Sequence, residues 1–188
     1  MSGAERTSSD SIFALLENQA RNNDGVGSSY DSDYNDGYGD SHLSKFCHKT
    51  CLALLRKSDD WISACGDSEW FKQDDMGKAE SKYNLWADKE ACKFEKEYVP
   101  PEGAASEGNP TVAVVSLIIE IQGDETVFDR AGFTLADTKS VLTNIASDSR
   151  VEGGDCLNAF EVFWTPSEPT EVLTERDIIA DFPELITL

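Results

Sequence analysis

The sequence predicts an α+β fold, with a helical N-terminal half packed on a small antiparallel or mixed sheet and a strand-helix-strand-helix C-terminal half. Three observations lead there. Apolar residues recur at helical spacing in residues 42–57 and 78–98, ahead of a Pro- and Gly-bearing break at residues 99–110. Beyond the break, residues 111–122 and 156–165 are dense in β-branched and aromatic side chains, the composition of strands. Each of those stretches is followed by a helical pattern opened by a threonine with an acid three positions on, Thr134 with Asp137 and Thr174 with Asp177.

Taken from the N-terminus, Ser8, Ser9 and Asp10 precede Ile12, Phe13, Leu15 and Leu16, which predicts one short amphipathic helix over residues 10–21. A helix of that length is not stable alone. Residues 22–41 read NNDGVGSSYDSDYNDGYGDS, with Tyr30, Tyr34 and Tyr38 recurring among glycines and the carboxylates Asp31, Asp33 and Asp36. Such a segment buries too little apolar surface to offset its ordering entropy. Residues 1–44 therefore read as an acidic Gly/Tyr/Asp-rich arm. Tyrosine combines a large contact area with a hydroxyl and is favoured at interfaces, so Tyr30, Tyr34, Tyr38, Asp31, Asp33 and Asp36 are the candidate partner-binding residues.

Residues 45–98 read as a helical subdomain. Its first helix, 42–57, takes apolar surface from Phe46, Leu52, Leu54 and Leu55, and its Lys45, Lys49, Arg56 and Lys57 make it a locally basic element. Trp61, Trp70 and Phe71 surround a Gly66-Asp67 turn, and a long helix over 78–98 carries Tyr83, Trp86 and Phe94. The break at 99–110 is a linker, and residues 111–188 form the α+β subdomain. There, 111–122 has β-branched residues on both faces, as expected of a central strand covered on both sides. Gly123-Asp124 is a turn signal, with a short returning strand expected at 126–128. The Thr134 helix runs to about residue 149 through Leu135, Val141, Leu142 and Ile145, and Gly153-Gly154 leads into the last long strand. Pro166 ends that strand because it has no backbone donor for a ladder. Thr174 caps the final helix, Glu175 and Asp177 sit at its positive end, and Pro183 stops it near Asp181. Trp61, Trp70, Trp86 and Trp164 are expected as core anchors.

Charge narrows the function. Thirty-six acids against 16 bases give a formal charge of −20, which argues against nucleic acid, whose phosphates need clustered Lys and Arg. It argues equally against an anionic membrane surface. Excess carboxylate keeps a chain soluble and favours encounter with a positively charged protein surface. The longest apolar run, 112–121, contains Ser116 and Glu120 and falls far short of the ~20 residues of a spanning helix, so no membrane span is expected. The opening MSGAERTSSD has neither the apolar core of a secretory signal nor the arginine-rich face of a transit peptide. Five cysteines at irregular spacing fit reduced, packed thiols better than a disulfide scaffold.

Reactive chemistry has few footholds. His42, Cys47, His48 and Cys51 are the cluster with metal-ligand residue types. On a helix the two cysteines share a face, whereas His48 points about a third of a turn away and His42 lies more than a turn earlier. One continuous helix does not present four tetrahedral ligands, and no second Cys or His pair completes a zinc site. A histidine facing a pigment and ligating a chlorophyll magnesium is the alternative use of this helix. A nucleophilic Cys65, Cys92 or Cys156 would need a base brought close by folding. Carboxylates are too numerous for any pair to mark acid-base roles, and Gly37-Tyr38-Gly39 neither follows a strand nor opens a helix. The expectation is no enzyme, no metal and no cofactor.

The C-terminal stretch AFEVFWTPSEPTEVLTERDIIADFPELITL sets an acidic residue and apolar residues before Trp164-Thr-Pro, then a short polar loop, Leu173-Thr, and Phe182-Pro-Glu-Leu. This resembles the C-terminus of an uncharacterised domain family of cyanobacteria and plastids that includes the plant fluctuating-light-acclimation protein. Cys51 to Trp61 is similar to the family's alanine- and leucine-rich helix that ends in an arginine and is followed by a tryptophan. Lys89 to Glu97 is similar to its charged helix before a linker. Together these cover residues 45–188 in the family's order. Cys51 and Cys92 depart from the pattern, and the family's membrane-spanning region has no counterpart here. The resemblance brings no established catalytic residues. It implies a plastid role, and with the charge and the arm it leads to a non-catalytic peripheral accessory subunit. That subunit would sit on the stromal side of the thylakoid in an alga, against the basic stromal surface of a multisubunit photosynthetic membrane complex, photosystem I first and photosystem II or an antenna complex next. A free stromal regulator of photoprotection is the alternative, and a metal protein or enzyme built on residues 42–51 is the third reading.

Overall fold

The computed structural model describes residues 41–94, 112–123, 128–166 and 171–188. In chain order the elements are α1 (His42–Leu55), β1 (Ser63–Ala64), α2 (Met76–Phe94), β2 (Val114–Ile121), α3 (Leu135–Asp148), β3 (Leu157–Thr165), α4 (Glu175–Asp181) and β4 (Ile186–Thr187), with single helical turns between some of them. This is the α+β arrangement expected, and its sheets are antiparallel.

β2 and β3 form the central ladder, from Val114 opposite Thr165 to Glu120 opposite Ala159. Ile121 then faces Leu157, so Asn158 is an extra residue on β3, a bulge that bends the strand end. Because side chains alternate across a strand, Leu117, Ile119, Phe160 and Val162 share one face and Val114, Ser116, Glu161 and Phe163 the other. The first face packs on α1 and α3 in a core of Cys47, Cys51, Val141, Ile145, Leu157 and Phe160. The second faces α2 and the C-terminal segment, with Val114, Leu173 and Phe182 buried among Phe94, Ile178 and Leu185. β2 is thus covered on both faces, as its composition predicts, but among the described residues it is one of two strands and not a central one.

The α1–α3 contact follows from small side chains at helical spacing. Ser41 caps α1, its hydroxyl accepting the Ser44 N–H at 3.0 Å. Ser44, Cys47, Thr50 and Cys51 form one buried stripe, narrow enough for α3 to approach. The N-terminal half of α1 then satisfies free carbonyls at the C-terminal end of α3. Ser44 Oγ donates to the Ser149 carbonyl at 2.5 Å, and His48 Nδ1 lies 2.6 Å from the Ala146 carbonyl. Gly154, at φ +93°, passes so close that a Cβ there would lie 2.3 Å from Ser44 Cβ.

The C-terminus is tied back across the molecule. Thr174 and Asp177 form the capping box of α4, the Thr174 N–H donating to Asp177 Oδ2 at 3.0 Å. β4 pairs with β1, Ser63 opposite Thr187 and Ala64 opposite Ile186, and the Leu188 N–H donates to the Ile62 carbonyl at 3.0 Å.

Some expectations change. α1 ends at Leu55 and α2 begins at Met76. Of the expected strand at 126–128, Phe128 opens a helical turn, Phe128–Arg130, and the earlier residues lie outside the described ones. That turn is shaped by Gly132, whose φ of +90° lets the backbone pass β1, where a Cβ would lie 2.4 Å from the Ala64 carbonyl oxygen. The expected linker 99–110 and residues 1–40 of the expected arm 1–44 lie outside the described residues, and the arm's last four residues are the cap and first turn of α1. The tryptophans are not core anchors: Trp61, Trp86 and Trp164 are half-buried and Trp70 is 61% exposed. The cores between the layers are filled by residues no larger than phenylalanine, and three of the four indoles stand at the rim of a cleft described below. Among the described residues, no helix is long and apolar enough to cross a membrane.

Candidate docking cleft

Among the described residues β2 pairs on one side only, with β3. Its other edge borders a cleft of about 2010 Å³. Every residue from Val114 to Ile121 lines it, both side-chain parities included, so the cleft meets the strand's edge rather than a face. Small-molecule pockets enclose about 300–1,000 Å³, so a space of this size and openness suits an extended partner better.

The segment between α1 and α2 also lines the cleft, supplying Trp61, Ile62, Trp70 and Phe71. Ile62 and Trp70 are each 61% exposed, and Met76 at the start of α2 is 48% exposed. The segment is held at both ends. The β1–β4 ladder fixes one, and a Lys82–Glu69 ion pair at 2.6 Å fixes the other, with the Lys82 ammonium 5.2 Å from the Trp86 ring centre.

A polar cluster forms part of the lining. Lys93 bonds Glu90 at 2.7 Å and also Glu184, and lies 5.7 Å from the centre of the Phe182 ring. Ser116 donates to the second Glu90 oxygen at 3.0 Å. Burial disfavours the Lys93 ammonium, but the bonds to Glu184 and Glu90 outweigh it and hold its pKa above the ordinary lysine value. Glu184 mirrors this: burial pushes it up, and the Lys93 bond prevails and lowers it. Burial, then the Glu184 and Glu90 carboxylates, raise the Cys65 thiol. A nucleophilic cysteine needs the opposite shift. Tyr83 is raised by burial and by Glu161, to which its hydroxyl donates at 3.2 Å.

Trp61, Trp70, Trp86, Cys65 and Cys156 line this cleft, whereas the described metal-ligand candidates do not. Tyr30, Asp31, Asp33, Tyr34, Asp36 and Tyr38 lie outside the described residues. His42 is exposed, Cys47 and Cys51 are buried side by side against the sheet, and His48 turns its Nδ1–H to the Ala146 carbonyl. The Cys47 hydrogen bond and burial raise Cys51 far above the ordinary thiol range. Among the described residues no His, Cys, Asp and Glu converge as a metal site. The Lys93 cluster escaped sequence reasoning. Glu90 and Lys93 are three apart on a helix and readable as a pair, but Glu184 reaches them only through the fold.

Residues 6–188 match a family model described as Protein of unknown function (DUF1517). The chain belongs to this family. This DUF1517 chain is 32% identical over 152 residues to Protein FLAP1 homolog A of Synechocystis sp., covering 71% of this chain and 43% of that protein. It is 29% identical over 153 residues to FLUCTUATING-LIGHT-ACCLIMATION protein 1, chloroplastic, of Arabidopsis thaliana, covering 76% of this chain and 37% of that one. The chain therefore spans about two fifths of the length of these relatives. No solved structure matches. The C-terminal Trp-Thr-Pro and Phe-Pro-Glu-Leu motifs and the two upstream segments thus point to the right family.

Proposed function

We propose that this DUF1517 chain serves photosynthetic light acclimation in the chloroplast, as a non-catalytic partner-binding protein on the stromal side of the thylakoid. Its partner is the basic stromal surface of a multisubunit photosynthetic complex, photosystem I first. The observation that carries this reading is the family match over residues 6–188, joined to similarity with a chloroplastic fluctuating-light-acclimation protein. A charge of −20 supports encounter with a basic surface. The structural use of His48, whose ring bonds the Ala146 carbonyl, supports a reading of contacts over catalysis. Tyr30, Tyr34 and Tyr38, with Asp31, Asp33 and Asp36, are the arm's contact points in this reading.

Thylakoids from cells expressing a tagged chain, separated on a native gel, test it. The chain should comigrate with a photosystem and be released by high salt, because screening weakens exposed charge contacts. Replacing the three arm tyrosines with alanine should reduce that comigration. Recovery in the soluble fraction alone under every light regime would replace this reading with a second one, a free stromal regulator of photoprotection. The plant relative's name, which specifies acclimation and no complex, favours that alternative.

A further inference from the structure

The β2 edge has the makings of a strand-pairing surface. β2 reads VVSLIIEI, with no proline and a single charged residue, Glu120. Natural sheets protect exposed edges with charges, prolines or short strands, and this edge of eight residues has little of that. The Gln122 N–H donates to the Cys156 carbonyl at 2.8 Å. Hydrogen-bonding direction alternates along an antiparallel strand, so the N–H and C=O groups of Val115, Leu117 and Ile119 turn away from β3, toward the cleft. Exposed Trp70 and Ile62 line the same cleft.

We propose that this edge takes an extended segment of a partner protein that alternates apolar with lysine or arginine residues and joins the sheet as a third strand. Backbone bonds to the edge would supply affinity, and alternate side chains would meet the lining of the cleft. The lining is apolar at Val141 and Leu142 of α3 and aromatic at Trp61 and Trp70. The charge of the segment follows from the lining. Seven acids, Asp67 and Glu120 among them, line the cleft against five lysines, Lys57, Lys72, Lys82, Lys89 and Lys93, an excess of two acids that adds to the chain's −20. A second copy of a chain with charge −20 would be repelled from the same edge. The inference rests on the partner-binding reading above and names the surface that performs it.

The probe is a synthetic ten-residue peptide of alternating lysine and valine, added to the purified chain. Amide exchange at Leu117 and Ile119 should slow on the order of tenfold with the peptide and recover in high salt. A version with a central proline should give no slowing, because it lacks the backbone donor. Trp70→Ala, an exposed substitution that leaves folding intact, should weaken peptide binding on the order of fivefold, as expected for an aromatic contact. Equal binding of a glutamate-valine peptide overturns the charge assignment. Slow exchange at Leu117 and Ile119 in the free chain overturns the proposal, since the edge is then already occupied, and so does protection that appears only as the chain dimerises. Unchanged thylakoid association of Trp70→Ala, with peptide binding lost, removes the edge as the docking surface while partner binding stands. Peptide binding without any thylakoid association does the reverse.

Discussion

The two sides of the β2–β3 sheet are built to opposite rules. On the α1–α3 side, small buried side chains and Phe160 close the core, and the polar groups there mostly bond backbone carbonyls. On the α2 side, the buried residues are few and the contact is threaded with charge: Lys93, Glu90, Glu184, Tyr83 and Glu161 sit among Phe94, Phe163 and Phe182. Residues of both sides reach the cleft, but the first side is packed with small apolar side chains and the second is held by ion pairs. The contrast teaches that apolar packing and charge are divided between the faces, so substitutions should separate them.

The largest effect is expected where the apolar side is emptied. Phe160 is 6% exposed and meets Phe46 edge-on at 5.3 Å, so Phe160→Ala should cost about 3–5 kcal/mol in urea unfolding. Phe94→Ala, on the half-buried opposite side, should cost about 2 kcal/mol. Equal losses would break the comparison. Gly154→Ala combines a φ of +93° with a Cβ 2.3 Å from Ser44, and should cost about 2–3 kcal/mol. It should also expose Cys47 and Cys51, both 0% exposed, to a thiol reagent that leaves them unlabelled in the parent.

The apolar side has one polar flaw. The Thr50 hydroxyl is buried without a hydrogen-bond partner among the described residues, so Thr50→Val should raise stability by about 1 kcal/mol. On the charged side, Lys93→Met should cost about 1 kcal/mol, a figure kept small because Glu184 is 41% exposed and screened by solvent. Its pH dependence has a definite sign. Glu184 is lowered on folding, so its share is present above the ordinary value of 4.5 and is lost as pH falls through the folded value. Lys93 is raised, so its share is present below 10.5 and is lost as pH rises through the folded value. The gap between parent and variant should be flat between those limits and narrow outside them. Smallest is Trp70→Ala, which at 61% exposure should change stability by less than about 0.5 kcal/mol. A large loss there would make the indole part of the core and remove it from the cleft rim.

The sequence made the helices and their caps legible because those signals are local. Thr134 with Asp137, and Thr174 with Asp177, each cap the helix that follows. The β-branched run of β2 correctly announced a strand covered on both faces. Other features depend on distant partners and leave no local trace. The β1–β4 pairing joins two residues to two others across most of the described chain, and no periodicity extends over so short a strand. The cleft was equally hidden. Its tryptophans read as core because indole is apolar, yet the layers close around smaller residues and leave them at the rim. The cysteines and His48 read as candidate ligands by type, and only the fold shows that the thiols are buried against each other and that the imidazole bonds a carbonyl.

The β1–β4 ladder also has a mechanical consequence. A clasp of two residues against two has few bonds to break, and such elements open at low free energy. It holds one end of the wall that carries Trp61 and Trp70, so a pull on Leu188 would peel it away first. The cleft would then gape while the α1–α3 core stayed shut, and its width is a mechanical property of the chain's last few residues.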